Sequence, residues 1–132
     1  MGFMAHSQIQ QFAQKGFVIH DNKLLCVRKS KDDPSWPLHW EVPGGRMDFG
    51  EDVESHFCRE VEEETNLKII PERPFHIWQW TFEREGVERQ IIDVARLAIL
   101  INLNTVEPSL NHQANFDYLD KVEWISLDTL KN

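Results

Sequence analysis

The side chains able to do chemistry crowd into residues 44–67, GGRMDFGEDVESHFCREVEEETNL. Residues 46–64 carry eight acidic side chains against two arginines, a net −6 within a chain whose total is −8. Acid that concentrated is either the solvated face of a helix or a site for divalent cations, and angular placement favours the second reading. At about 100° per residue, Val53, Phe57 and Val61 line up as one apolar stripe. Glu60 and Glu64 fall within roughly 60° of its centre and Glu63 lies beside it, whereas Glu62 and Ser55 occupy the opposite face. Ionised carboxylates turned inward are costly unless they are paired or hold a cation. Arg59 neutralises one of them, not three. Oxygen-rich carboxylate sites suit hard cations such as Mg²⁺ or Mn²⁺, which keep waters and bind substrate phosphates. The Pro43-Gly44-Gly45 turn adds unhindered backbone groups beside the helix.

The flanking sequence supplies the elements that must position these residues. Asp52 is a suitable N-cap, Glu54 sits in the first turn where the helix dipole favours acid, and Asn66 stands where a left-handed residue ends a helix. Upstream, two β-type runs, residues 16–20 and 23–28, flank Asp21-Asn22 as a hairpin after a polar leader. Residues 29–38 form a loop with two prolines, and residues 40–42 a short strand. Downstream, residues 67–70 read as a strand, Pro71 and Pro74 as enclosing a turn, and residues 75–82 as a half-buried strand. Residues 83–88 read as a turn and residues 90–101 as a central strand. A long polar connection over residues 102–120 has the length of a functional loop. A final strand follows at residues 121–125, and Ser126 caps a terminal turn. Strands on both sides of one strong helix imply an α/β fold, a mixed sheet with the helix packed on it, in a single domain over residues 1–132.

Composition narrows the partners. The 132 residues suffice for one core, and a hydrophobic content of 41% with 27% charged residues is that of a globular domain. Acidic balance argues against a nucleic-acid polymer, which calls for a lysine and arginine surface; it leaves phosphate substrates open, because bound metal inverts the local field. No apolar run approaches a membrane span, and no signal-peptide pattern is evident. Cys26 and Cys58 have no metal-like spacing and read as reduced thiols in a cytoplasmic protein. Monomer and homodimer are equally compatible with the sequence.

The spacing of the acidic stretch resembles the Nudix box, G-x5-E-x7-R-E-U-x-E-E-x-G-U with U apolar. Gly45, Glu51, Arg59, Glu60, Val61, Glu63, Glu64 and Leu67 match, and Asn66 replaces the last glycine. Asparagine also tolerates the left-handed conformation, so the departure is mild. W-E-V-P-G-G before the box and V-E-W-I-S-L-D-T-L near the end are similar to the same family. The resemblance implies an α/β/α sandwich and hydrolysis of a nucleoside diphosphate linked to another group, with Mg²⁺ or Mn²⁺. It implies Glu63 and Glu64 as metal ligands, Glu60 as a ligand or the base for the attacking water, and the Gly44 carbonyl as a further ligand. Arg59 would orient a glutamate, and Glu51 would support the loop–helix geometry.

Members of the family often take a further ligand or base from outside the box. Here the candidates are His112, Asp117 and Asp120, with Asp93 either reaching the site or satisfied in the interior. Arg46 either meets a phosphate or is solvated. Trp36 is a rim candidate, and Trp78 and Trp80 share one strand face from which either packs or stacks on a base. Trp40 and Trp124 read as core, and His56 as a helix-surface residue on the carboxylate side. The first functional reading is a MutT-like pyrophosphohydrolase converting a nucleoside triphosphate to monophosphate and pyrophosphate. The second is an ADP-ribose or sugar-nucleotide hydrolase. The third is a non-catalytic nucleotide-sensing or protein-binding domain, which lost carboxylates would favour; Glu51, Glu60, Glu63 and Glu64 are all present.

Overall fold

The computed structural model describes residues 7–101, 107–111, 113–114 and 118–131. Its centre is β1 (Ser7–His20), a strand that begins well before the run at residue 16. β1 pairs in parallel with β6 (Val87–Leu100) from Ser7 opposite Val87 to Val18 opposite Ala98. The stretch that reads as a polar leader is ordered by this pairing, because its amides find partners across the strands. Gln8 donates to Glu88 and Gln10 to Gln90, each at 2.6 Å.

The opposite edge of β1 serves two partners in succession. Residues Ala13, Gln14 and Lys15 pair with β4 (Gly44–Arg46), and Ile19 and His20 with β2 (Lys23–Lys29). The expected hairpin is present: Asp21 and Asn22 both adopt positive φ, 55° and 59°, as its two-residue turn requires. β2 also pairs with β3 (Trp40–Glu41) and with β7 (Leu119–Ser126), after which a short 3-10 helix runs over Leu127–Lys131.

β5 (Ile69–Arg84) is one continuous edge strand, paired antiparallel with β6. The turn expected at Pro71 and Pro74 does not form. The register shifts between Pro71 and Pro74, and again before His76, so the prolines are absorbed as irregularities of an edge strand, where a missing N–H is tolerated. The reverse turn to β6 shrinks to Glu85 and Gly86, both at positive φ.

Helix α1 (Val53–Thr65) follows the local signals closely. The Asp52 side chain accepts from the Ser55 N–H at 3.0 Å, and Asn66 at φ 62° donates its N–H to the Glu62 carbonyl. Phe57 and Val61 pack into a core with Val18, Leu25, Leu67, Ile69 and Ala98, with Cys58 and Trp124 against its margin. Val53, by contrast, is exposed, and so is Trp40, which pairs at the sheet margin instead of entering the core. The result is the expected class, a mixed sheet with the loop–helix packed on it, and α1 is the α-helix among the described residues.

Candidate active site

Inside α1, Glu60 and Glu64 lie on the buried side with Phe57 and Val61; Glu60 is 9% exposed and Glu64 2%. Both approach the two glycines of β4. The Gly44 N–H donates to Glu64 Oε1 at 3.0 Å. A Cβ on Gly45 would stand 2.7 Å from Glu60 Oε2, so glycine is what lets this carboxylate rest against the strand. A Cβ on Gly44 would lie 2.1 Å from the Gln14 carbonyl oxygen, and that residue has φ +153°. The two glycines thus have separate tasks: Gly44 closes the strand pair and Gly45 makes room for the acid.

Arg59 ties the rest of the acidic stretch together. Its Nε and Nη2 each bond a different Glu51 oxygen at 2.8 Å, Nη1 bonds both Glu63 oxygens at 3.1 Å, and Nη2 lies 3.3 Å from Glu60 Oε1. Glu51 also accepts the Asp48 N–H at 2.8 Å. The Arg59 guanidinium, helped by that N–H, holds the Glu51 carboxyl down at about 2. Reciprocally, the hydrogen bonds to Glu51 raise the Arg59 pKa. Glu51 therefore acts as a strut between the loop and the helix.

His56 is fully buried instead of standing on the helix surface. It lies 2.8 Å from Gln14 through Nδ1, and its Nε2 is 3.8 Å from Glu60 Oε1. Burial is the main influence lowering its pKa. A neutral ring at this place adds no charge to the carboxylates it backs.

Glu60, Glu64, Gly44 and Gly45 form one side of a cleft of about 1020 Å³. Arg46, Trp36, Trp80 and Asp93 also line it, so α1, β4, β5, β6 and the loop of residues 30–39 all contribute. Trp78 shares the strand face of Trp80 but does not line the cleft, and it stacks with His76. Among the cleft residues that escaped the sequence reading are two arginines, Arg84 and Arg89. Gln11 Oε1 accepts from both Arg46 and Arg89 at 3.1 Å, which brings those guanidiniums together. Burial lowers the Arg46 pKa first, and the positive charges of Arg89 and Arg84 lower it further. Arg84 also bonds Ser35 Oγ and so links β5 to the loop carrying Trp36. The signal for Arg84 and Arg89 lay in strand register alone, since they stand 38 and 43 positions beyond Arg46.

Asp120 is not part of the cleft; Arg28 binds it through two bonds of 2.9 and 2.8 Å. His112 and Asp117 lie outside the described residues.

Among the described residues no three acidic, histidine or cysteine side chains converge into a ready-made metal cage, and Glu63 is turned to Arg59. The donor chemistry nevertheless fits a hard divalent cation. Two carboxylates nearly withdrawn from water line the same cleft beside backbone groups, and no sulfur is among them.

A family model described as the NUDIX domain matches residues 13–132. The chain belongs to the Nudix family, and it is an enzyme of the class acting on phosphoanhydride bonds. Solved structures sharing the fold include a NUDIX hydrolase from Nitrosomonas europaea, with a TM-score of 0.71 and 19% identity over 93% of this chain and 76% of that one. Another is a MutT NUDIX hydrolase from Burkholderia pseudomallei, with a TM-score of 0.69 and 23% identity over 91% and 85% of the two chains. An ADP-ribose pyrophosphatase from Streptococcus suis gives 0.61 and 20% over 89% and 75%. No helix among the described residues is long and apolar enough to cross a membrane.

Proposed function

We propose that this Nudix enzyme hydrolyses the pyrophosphate linkage of a nucleoside triphosphate, releasing a nucleoside monophosphate and pyrophosphate. One observation carries the reading: a single cleft presents the buried Glu60 and Glu64 carboxylates together with three guanidiniums, Arg46, Arg84 and Arg89. Clustered arginines repel one another and favour a polyanion between them. Glu60, Glu64 and the Gly44 carbonyl are the groups placed to hold Mg²⁺ or Mn²⁺, and Glu63 would join them by leaving Arg59. Such an ion, when bound, lowers the pKa of water and offsets charge on the phosphates. The arginines orient the non-bridging oxygens so that water approaches phosphorus in line with the bridging oxygen. Glu60 accepts the proton of that water as the new P–O bond forms, the bridging P–O bond breaks, and its electron pair leaves with the departing phosphate group. Arg59 and Glu51 act by positioning the glutamates. Trp36 and Trp80 offer flat surfaces for a base.

Cleft size favours a second reading. About 1020 Å³ leaves room for a second sugar, as in ADP-ribose or a sugar nucleotide. A panel of nucleotides incubated with Mg²⁺ separates the two: pyrophosphate from triphosphates supports the first, and nucleoside monophosphate plus sugar phosphate supports the second. Turnover of neither would overturn both readings of the substrate. Within the first reading, Glu63→Gln is expected to be folded but inactive, with weakened Mg²⁺ binding. Full activity in that variant would refute the assignment. The proposal extends to a small-molecule substrate in the reducing cytoplasm, in keeping with free Cys26 and Cys58.

A further inference from the structure

Asp93 is 2% exposed, yet it stands in the middle of β6 and lines the cleft. Its Oδ2 accepts the Trp80 indole N–H at 2.6 Å. Its Oδ1 has no hydrogen-bond partner among the described residues. A carboxylate oxygen held dry without a donor gains from any N–H that reaches it. The surroundings say what kind of molecule brings that N–H. Trp80 is 39% exposed and stacks on Phe82, with centroids 5.0 Å apart at 21°, making a flat apolar wall beside the acceptor. Ala13, the residue between Asp93 and β4 in the sheet, offers only a methyl group and leaves the floor clear.

Register fixes where this acceptor stands relative to the phosphate-binding groups. Ala13 pairs with Arg46 on one edge and Asp93 on the other, so Arg46 and Asp93 lie two strands apart, roughly 10 Å. A base on Asp93 thus directs its phosphates across Ala13 toward Arg46 and the glutamates. Resting on the reading of this cleft as a nucleotide site, we infer that Asp93 and Trp80 form the base-recognition subsite. Asp93 Oδ1 accepts an N–H from the edge of the nucleobase, and the Trp80 indole both fixes that carboxylate and packs against the ring. Asp93 is here a specificity-determining residue, not a catalytic one. It selects a base with an edge N–H, whether the exocyclic amino group of adenine, guanine or cytosine or the ring imino N–H of guanine or uracil, over a base with none.

The test uses binding of nucleoside monophosphates, so that it does not depend on turnover. Affinities of the adenosine, guanosine and cytidine monophosphates are measured by isothermal titration against purine riboside monophosphate, whose base carries no donor. The best amino-bearing nucleotide is expected to bind about tenfold to a hundredfold tighter, the range for one hydrogen bond to a charged group. In Asp93→Asn the amide oxygen keeps the Trp80 bond and the amide nitrogen replaces the acceptor, so that preference is expected to vanish or reverse. Purine riboside monophosphate binding as tightly as the best of the three overturns the inference, as does a folded Asp93→Asn protein that keeps the preference. Should Asp93→Asn fail to fold, the wild-type comparison alone decides. Failure of triphosphate hydrolysis would overturn the earlier reading and leave these affinities to judge this one.

Discussion

Glycines 44 and 45 are adjacent in the chain, yet substitution at each should fail differently. Alanine at Gly45 pushes on the far end of a flexible side chain, since its Cβ would meet the Glu60 carboxyl at 2.7 to 2.9 Å. The fold can yield there by moving Glu60, so Gly45→Ala is expected to retain a cooperative melt near the wild-type temperature while losing most hydrolytic activity. Alanine at Gly44 meets backbone, the Gln14 carbonyl oxygen at 2.1 Å, at φ +153°. Gly44→Ala should destabilise by several kcal/mol, on the order of the largest single-residue effects. Thermal melts set beside activity assays decide the matter, and a Gly45→Ala enzyme with wild-type kcat/KM would contradict the site. Glu51 gives a second residue-scale prediction. Its folded pKa is depressed from 4.5 to about 2 by Arg59, so the stability it contributes is complete above 4.5 and is lost as pH falls toward 2. Melting temperature should therefore fall more steeply between pH 5 and 2, in round numbers about the ordinary carboxylate range, for wild type than for Glu51→Gln. Parallel curves would show that the Arg59 bonds add nothing to stability.

At the scale of elements, α1 was the most legible part of the chain because its signals are local. The Asp52 cap, the inward Glu60 and Glu64 and the left-handed Asn66 all follow from spacing along one helix. Asn66 occupies a conformation that glycine adopts without penalty, φ 62°. Asn66→Gly is thus expected to leave activity unchanged and to alter stability by at most about 1 kcal/mol, in the stabilising direction if the helix end is strained. A clear loss of stability would mean that the asparagine side chain supports the turn in its own right. The strands were less legible. The glutamines of residues 8–14 carry no apolar alternation, and their place in β1 is decided by β6, some 80 positions away. Likewise Pro71 and Pro74 look like turn residues in isolation, and only the edge position of β5 lets the strand run through them. His56 misled for a related reason: its burial depends on Gln14, which reaches it from β1.

Across the whole molecule, the half of the cleft written on α1 was readable and the half contributed by the sheet was not. The box identified the carboxylates, but Arg84, Arg89 and the Asp93–Trp80 pair meet them only through the parallel register of β1 with β6 and the antiparallel register of β6 with β5. Charge gives this arrangement a global consequence. The chain bears a net −8, and two of its carboxylates, Glu60 and Glu64, are nearly removed from water in the folded state alone. Any cation bound there binds the folded protein in preference to the unfolded chain, so it raises stability by mass action, about 2.7 kcal/mol at a hundredfold excess over Kd. At about 4 °C per kcal/mol for a domain of this size, the melting temperature should rise by roughly 10 °C in saturating Mg²⁺. General screening of the acidic surface acts differently, since it is shared by any salt of equal ionic strength. Glu64→Gln keeps an oxygen for the Gly44 N–H while removing one charge, so its melting temperature without Mg²⁺ should be at least that of wild type, with most of the Mg²⁺ response gone. A shift of equal size in matched NaCl, or an undiminished shift in Glu64→Gln, would place the cation elsewhere on the surface and remove Glu64 from the ligands.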